Sequence, residues 1–322
     1  MSATHPSGFE RKVAEARHQL GDIYRRLGEP AAAEEHLEEG LRLYRASRDA
    51  EGEAQVLLAL GQLAEHRGDL GKAERSYERS RAFAKRLRFR ELEVELEVAE
   101  SRLLAHRGDI QGSLERKQHA LSLAGSLGNL HLLAKLHISL GALYCGMERF
   151  EEAAREYEQG VQLSRRIGNL RLLAFGLYNA AGVYLRNEDY ARGEPCLKEA
   201  AVLFRKLGDP AREAIVLQYE GTMWSERGMW NLGKAKLSES VARLRRVSSP
   251  ADLVRTLFAF SWQSHLHGER DAAMALIDEA IASARKIRMN ALVEEMEGYR
   301  QRYASGVVGE AKSAPTTRAS PG

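Results

Sequence analysis

Small residues recur every 40 positions along most of this 322-residue chain. One column of this repeat, in which nothing is larger than serine, contains Gly21, Gly61, Ser101, Gly141, Ala181, Gly221 and Ser261. Two further small columns begin at Ala33 and Gly40 and follow the same step without insertions. Small side chains at fixed points let two helices approach to about 8 Å, where a leucine would hold the axes apart. The sequence therefore predicts a gapless array of seven copies of one unit.

Each copy contains two helix-length segments separated by a turn. Gly68-Asp69 and Gly108-Asp109 are typical of the turns within a copy, and Gly128-Asn129 and Gly168-Asn169 are typical of those between copies. Glycine adopts the left-handed conformation that ends many helices, and Asp or Asn caps the amides that open the next helix. We therefore expect an all-α stack of seven helix pairs, in which each pair buries its apolar faces against its neighbours.

One more helix is expected to close the array. Leu292, Met296, Tyr299 and Tyr303 recur at helical spacing, while the other side of this segment is polar. A polar outer face is typical of a terminal capping helix. Residues 1–8 and 304–322 lie outside the repeats, and the second of these segments is rich in Gly, Ser, Pro and Thr. We predict a single solenoid over residues 9–303 between two disordered ends.

The columns resemble the tetratricopeptide repeat, which joins L-G-x-x-Y in its first helix to A-x-x-x-F in its second. The segments 20–24 (LGDIY) and 140–144 (LGALY) fit the first motif, and Ala73 with Tyr77 and Ala153 with Tyr157 fit the second. The resemblance covers about residues 9–288 and implies a right-handed α–α superhelix. In its 40-residue period the chain is similar to the long-helix subgroup found in kinesin light chains, Partner of Inscuteable and bacterial regulators.

The resemblance also implies a groove, lined by the first helices, that binds another protein. It places the exposed groove positions at residues 15, 18, 22 and 25 and at their equivalents every 40 residues. Copies 1 to 3 place charges at half of these positions, including Glu15, Asp22 and Glu65, whereas copies 4 to 7 are more apolar there. We predict that a partner binds mainly to the second set, on Lys135, Ile138, Phe175, Tyr178, Asn179, Gln218, Arg255, Phe258 and Trp262. Aromatic side chains with flanking cations suit an apolar or acidic peptide.

Two alternatives to this groove remain open. Phe175, Phe258 and Trp262 could instead be core residues between successive helix pairs. The array could also be a regulatory or self-association module, with its groove occupied by its own tail or by a second copy, so that the chain is a monomer or a weak homodimer. A clamp for a C-terminal carboxylate, which some family members use, is disfavoured because the second asparagine column that it needs contains Ala142 and Gly182.

The remaining sequence features argue against other classes of function. Lys and Arg number 48 against 45 Asp and Glu and are interspersed with them, which gives no support to nucleic-acid binding. No stretch is apolar enough to span a membrane or to act as a signal peptide, so a cytoplasmic protein is expected. No phosphate-binding loop or catalytic motif is present, and we expect neither enzymatic activity nor a cofactor.

Metal binding is also not expected. Cys145 and Cys196 have no partner at ligand spacing, and His265 and His267 point to different faces of a helix. The sequence as a whole therefore predicts a scaffold or adaptor that binds a protein or peptide and performs no catalysis.

Overall fold

The computed structural model describes residues 8–305, which form fifteen helices and no strand. In chain order these are α1 Gly8–Leu27, α2 Pro30–Ala46, α3 Ala50–His66, α4 Leu70–Leu87, α5 Arg90–His106, α6 Ile110–Leu127, α7 Leu130–Gly146, α8 Phe150–Arg166, α9 Leu170–Arg186, α10 Tyr190–Lys206, α11 Pro210–Glu226, α12 Trp230–Arg246, α13 Pro250–Leu266, α14 Arg270–Lys286 and α15 Asn290–Ser305. Odd-numbered helices are the first helices of the pairs, and even-numbered helices are the second. The predicted all-α solenoid of helix pairs with a closing helix is confirmed for these residues.

The helices belong to two compact units. Unit 1 comprises residues 1–136 and contains α1 to α6 and the start of α7, whereas unit 2 comprises residues 137–322 and contains the rest of α7 and α8 to α15. The single solenoid over residues 9–303 therefore stays a prediction. Most of the two predicted disordered ends, residues 1–7 and 306–322, lies outside the described residues. Gly8, Ala304 and Ser305 were also predicted to be disordered, and this is wrong, because they lie in α1 and α15.

The column of small residues marks the points where the two helices of a pair touch. A β-carbon on Gly61 would lie 2.3 Å from Cε1 of Tyr77, and one on Gly21 would lie 2.5 Å from Cγ of Leu37. Both distances are far shorter than a van der Waals contact. The small residue on the first helix thus makes room for the large side chain that follows sixteen residues later on the second helix.

The turns end and begin helices as the sequence predicts. Gly68 and Gly108 have φ values of +79° and +82°, in the left-handed region. Asp69 accepts a hydrogen bond from the amide of Lys72 at 2.9 Å, and the side chain of Asn169 accepts one from the amide of Leu172 at 3.0 Å. These caps satisfy amides that have no partner within their own helix.

Candidate partner-binding surface

A cavity of about 460 Å³ opens on the first helices of unit 1. We call it the first-helix cavity. It is lined by Arg11, Glu15, His18, Gln19 and Asp22 of α1, by Tyr44 and Asp49 before α3, by Glu51, Gly52, Gln55, Leu58, Ala59 and Gln62 of α3, and by Glu95 of α5. Most of these side chains are polar. In α3 and α5 the apolar sides face the second helices and the neighbouring pairs, which leaves the polar sides to line the cavity.

Negative charge dominates the first-helix cavity. Five of its lining residues are Asp or Glu, against one arginine and one histidine. Arg11 pairs with Asp49 at 3.0 Å. Burial lowers the pKa of His18, so the imidazole is mostly neutral at pH 7 and adds little positive charge. Arg25, which is not part of the lining, pairs with Asp22 at 3.1 Å. The other four carboxylates still outnumber the cations within the cavity.

Glu95 is the carboxylate whose environment is most crowded. Its side chain is reached by solvent, yet the walls around it displace much of the surrounding water. This desolvation raises the pKa of Glu95, while the charge of Lys135 acts in the opposite direction. A cation that entered the cavity would favour the ionised form of Glu95 and so would be stabilised by it.

Several polar side chains of the first-helix cavity are not engaged by the rest of the protein. Within residues 8–305, the side chains of Glu15, Gln55 and Gln62 form no hydrogen bond with another residue. Carboxylate and amide groups in this state are available to a bound segment. Amide side chains both donate and accept, which suits the alternating N–H and C=O groups of an extended peptide.

The charges of α3 and α5 beyond the cavity have internal partners instead. Glu65 and Arg102 belong to the charged positions of the predicted groove, but Arg102 donates to Glu65 at 2.9 and 3.1 Å. The hydroxyl of Tyr77 donates to the same carboxylate at 2.7 Å. Only 7% of the Glu65 side chain is exposed. These contacts join the adjacent first helices α3 and α5, so the residues do not offer a free surface.

Four of the residues predicted to line the groove are buried in unit 2. Phe258 is 0% exposed, Trp262 is 5% exposed, and Tyr178 and Gln218 are each 7% exposed. The prediction that these side chains are accessible on the first helices is wrong. The alternative, that such residues are core between successive helix pairs, holds for Phe258 and Trp262 but not for Phe175, which is half-buried.

Neighbouring first helices explain this burial. The ring of Tyr299 in α15 packs edge-on against Phe258 and Trp262, with ring centroids 5.2 and 5.4 Å apart. Tyr178 of α9 meets Tyr219 of α11 in the same way at 5.1 Å. The aromatic side chains thus fill the space between adjacent first helices, where the sequence prediction had placed a ligand.

A smaller accessible surface remains on α9 and α11. Phe175 and Asn179 are half-buried, and the guanidinium of Arg212 lies 5.3 Å from the centroid of the Phe175 ring. Tyr219 is also half-buried and lies over Gly182, where a β-carbon would meet Cε1 of Tyr219 at 3.0 Å. We call Phe175, Asn179, Arg212 and Tyr219 the aromatic face. Within the described residues, the side chain of Asn179 forms no hydrogen bond with another residue.

The remaining predicted residues are dispersed. Ile138 and Arg255 are half-buried in unit 2, and Arg255 lies 3.7 Å from Asp252. Lys135 is exposed and belongs to unit 1. Arg212 and Tyr219 lie outside the predicted groove positions, whereas Gln55 and Gln62 stand at predicted positions, 40 residues after Glu15 and Asp22, in a copy where no partner contact was expected. Tyr219 directly follows a predicted position, and an aromatic residue beside it was the available signal.

The family model of the tetratricopeptide repeat matches residues 12–86. Residues 12–86 therefore belong to the tetratricopeptide-repeat family. No curated protein matches it by sequence. Among solved structures, the apo form of RapI is similar with a TM-score of 0.69 and 14% identity, covering 86% of this chain and 99% of that chain. The quorum sensor NprR from B. thuringiensis, also in its apo form, is similar with a TM-score of 0.62 and 14% identity, covering 94% and 87%.

A third similar structure is a Rap protein in complex with Competence and Sporulation Factor, with a TM-score of 0.68 and 13% identity, covering 92% of this chain and 84% of that chain. At these identities the likeness concerns the fold.

Two further findings concern the described part of the repeat protein. No helix within residues 8–305 is long and apolar enough to cross a membrane. No group of three or more His, Cys, Asp or Glu in that range is arranged to hold a metal ion. His265 stacks on Tyr303 with ring centroids 4.4 Å apart, whereas His267 stacks on Trp230 at 4.5 Å, so the two histidines face different neighbours.

Proposed function

We propose that this chain is a non-catalytic scaffold that binds an extended segment of a partner protein on the accessible faces of its first helices. The observation that carries the proposal is the first-helix cavity of unit 1. It combines a volume large enough for one or two side chains with polar groups that have no internal hydrogen-bond partner. Water hydrates these groups in the free protein, and a bound peptide can replace that water with its own hydrogen bonds.

The charge of the first-helix cavity defines the chemistry of the segment. Five carboxylates favour a lysine or arginine side chain, and the amides of Gln55 and Gln62 favour the backbone on either side of it. Glu15 is exposed at the rim of the cavity and can attract such a segment before it docks. We therefore place the principal site in unit 1, whereas the sequence alone placed it on repeats 4 to 7.

The aromatic face of unit 2 is proposed as a second contact. Phe175 and Tyr219 offer half-buried rings, and Arg212 adds a positive charge directly beside the first of them. An apolar side chain or a carboxylate suits this combination, because a guanidinium held against a ring loses little freedom when it binds. This part of the proposal keeps Phe175 and Asn179 from the sequence prediction and replaces the buried Phe258 and Trp262.

A peptide library displayed on phage tests the principal site without knowledge of the partner. We expect selection on the native chain to enrich peptides that contain Lys or Arg. The double variant Asp22→Asn, Glu95→Gln should bind the enriched peptides about 10-fold more weakly, because two accessible charge pairs contribute about 0.5 to 1 kcal/mol each. Glu115→Gln, an exposed change on the second helix α6, is the control and should bind like the native chain.

Two results would contradict the first-helix cavity as the principal site. The enriched peptides could lack basic residues, or they could bind the double variant as tightly as they bind the control. The same peptides are then measured against Arg212→Ala. Weaker binding to that variant alone would make the aromatic face of unit 2 the principal site.

A further inference from the structure

One helix carries a stripe of six apolar side chains, of which five are exposed and one, Val13, is half-buried within the described part of the protein. The α1 stripe consists of Phe9, Val13, Ala16, Leu20, Ile23 and Leu27. Their relative exposures include 74% for Phe9, 50% for Ile23 and 66% for Leu27. With Leu20 at 39%, α1 holds four of the nine large hydrophobic residues that are exposed within the described chain. The exposed apolar surface is therefore concentrated on a single helix.

The spacing of the α1 stripe is regular. Its residues follow one another at intervals of 4, 3, 4, 3 and 4, so all six lie within a narrow arc of one helix face. This is the alternation of a coiled-coil seam. The stripe runs about 27 Å along α1, which is long enough for a helix-to-helix interface.

The equivalent face of the next first helix shows what such a stripe does inside the array. Val56, Leu60 and Leu63 of α3 stand 40 residues after Ala16, Leu20 and Ile23. All three are buried, at 0%, 7% and 3% exposure, in a cluster that includes side chains of α2. This face of a first helix therefore packs against the preceding pair, and no pair precedes α1 within residues 8–305.

The parts of the sequence outside the described range lack the side chains needed to cover the α1 stripe. Residues 1–7 read Met-Ser-Ala-Thr-His-Pro-Ser and contain one large apolar residue. Residues 306–322 contain two valines and no Leu, Ile, Met or aromatic residue. Six seam positions require a partner surface with comparable apolar content, which neither segment has.

The C-terminal helix of another copy does not match the α1 stripe either. The exposed residues of α15 include Glu294, Arg300, Gln301 and Arg302, whereas its large apolar residues Met296 and Tyr303 are 0% exposed. Head-to-tail association of copies would place an apolar stripe on this polar surface. The described surface that does match the α1 stripe is the α1 stripe of a second copy.

We propose that the α1 stripe is a homodimer interface, in which the α1 helices of two copies pack against each other in antiparallel orientation. The intervals read the same in both directions, so Phe9 meets Leu27 of the second copy and Val13 meets Ile23. Ala16 meets Leu20 of the second copy, which sets a small residue against a large one. A parallel pair would instead set Ala16 against Ala16 and leave a gap in the middle of the seam.

This inference is independent of the proposed peptide site. The α1 stripe faces away from the first-helix cavity, which uses Glu15, His18 and Asp22 on another side of α1. It also differs from the self-association considered from the sequence, in which a second copy would occupy the groove. A chain that fails to bind peptides could still form this dimer, and a monomeric chain could still bind peptides.

Sedimentation equilibrium of the full chain tests the interface. We expect the native chain to approach twice its monomer mass of 35.9 kDa as its concentration rises. The variant Ile23→Lys, Leu27→Lys should remain at the monomer mass, because it would bury four ammonium groups in the dimer. Val202→Lys replaces another exposed apolar residue, at 61% exposure on α10, and should still dimerise. Both substituted sites are exposed, and circular dichroism checks that each variant keeps its helices.

Disulfide trapping tests the orientation. Chains with Ala16→Cys and Leu20→Cys are tagged differently, mixed and oxidised, with the native chain as the control for its own cysteines. An antiparallel pair should give the mixed disulfide, which links one Ala16→Cys chain to one Leu20→Cys chain. A parallel pair would instead link two copies of the same variant. The proposal is overturned if the native chain stays monomeric at high concentration, if the α1 variant dimerises like Val202→Lys, or if the mixed disulfide does not form.

Discussion

The ring of Tyr77 occupies the space that a side chain on Gly61 would need: a β-carbon there would lie 2.3 Å from Cε1 and 2.5 Å from Cδ1 of the ring. Tyr77 is itself 0% exposed and donates a hydrogen bond to Glu65 from its hydroxyl. The ring therefore has no free direction in which to move. The close approach of α3 and α4 depends on the absence of a side chain at this glycine.

Gly61→Ala should destabilise the chain by about 2 kcal/mol, the usual cost of inserting a methyl group into a filled interior. Gly125→Ala is the matched control, because this glycine is exposed within α6 and a β-carbon there would have no neighbour within 4 Å. The control should gain about 0.5 to 1 kcal/mol from the better helix propensity of alanine. Urea unfolding of both variants measures the difference, and equal effects would contradict the packing described for Gly61.

The repeat architecture was predictable from the sequence because its determinants are local and recur. Gly21 and Gly61 lie against the large residues of the facing helix, and Asp69 and Asn169 cap the helices that follow them. Each of these effects involves residues of one pair or one turn. A 40-residue period therefore carries enough information to place the helices and their contacts within a pair.

The accessible surface was not predictable in the same way, because exposure depends on the neighbouring pair. Phe258 and His18 belong to the same column of the repeat, yet Phe258 is 0% exposed and His18 is half-buried at the first-helix cavity. The difference comes from Tyr299, whose ring covers Phe258 from α15. A column fixes the direction in which a side chain points, but the size of the facing side chain decides whether solvent reaches it.

Glu97 is predicted to make stability depend on acid pH. It is 1% exposed, and burial alone would raise its pKa, but hydrogen bonds from Arg81 at 2.7 Å and Arg116 at 3.1 Å outweigh burial and hold the pKa below its usual value of about 4.5. A carboxyl whose pKa is lower in the folded state stabilises the fold fully above the unfolded pKa. That contribution is lost as pH falls through the folded pKa.

Glu97→Gln should therefore cost about 2 kcal/mol at pH 7, since Arg81 and Arg116 lose one buried carboxylate and keep only Glu100. The loss should shrink when the pH is taken well below 4.5, where the native carboxyl is also protonated. Glu74→Gln removes an ion pair with Arg107 in which both side chains are 44% exposed, and it should cost less than about 1 kcal/mol. The measurement is the unfolding free energy of the native chain and of both variants at pH 7 and pH 3. Equal costs for Glu97→Gln and Glu74→Gln at pH 7 would argue against a buried ion pair at Glu97.

Lys117 stands in the column that contains Tyr77 and Tyr157. Like Glu97, it is predicted to make stability rise with pH, but in the alkaline range. Burial and the nearby charge of Arg102 lower its pKa from 10.5 to about 8. Because the folded pKa is the lower one, this group favours the fold above the unfolded pKa, and the contribution is lost as pH falls through about 8. The contribution of Lys117 to the unfolding free energy of the native chain should therefore rise between pH 8 and pH 10.

Lys117→Met should stabilise the chain by about 1 kcal/mol at pH 7, because methionine keeps a long flexible side chain and removes the buried charge. The variant should also lose this part of the alkaline rise. Comparison of unfolding free energies at pH 7 and pH 9.5 for the native chain and the variant isolates the contribution of Lys117. A variant that is less stable at pH 7 would show that the ammonium group contributes more through its interactions than its burial costs.

Tyr299 is predicted to control access to the aromatic residues of α13. Its ring packs edge-on against Phe258 and Trp262, and Met296 and Tyr303 hold the rest of α15 in the same core cluster. Tyr299→Ala removes the ring but leaves these two anchors, so α15 should stay folded at a cost of about 2 to 3 kcal/mol. Trp262 should then become more accessible, and acrylamide should quench the tryptophan fluorescence more strongly.

The variant Tyr299→Phe is the control, because it keeps the ring, and its fluorescence should be quenched like that of the native chain. Unchanged quenching in Tyr299→Ala would mean that side chains other than Tyr299 suffice to cover Trp262.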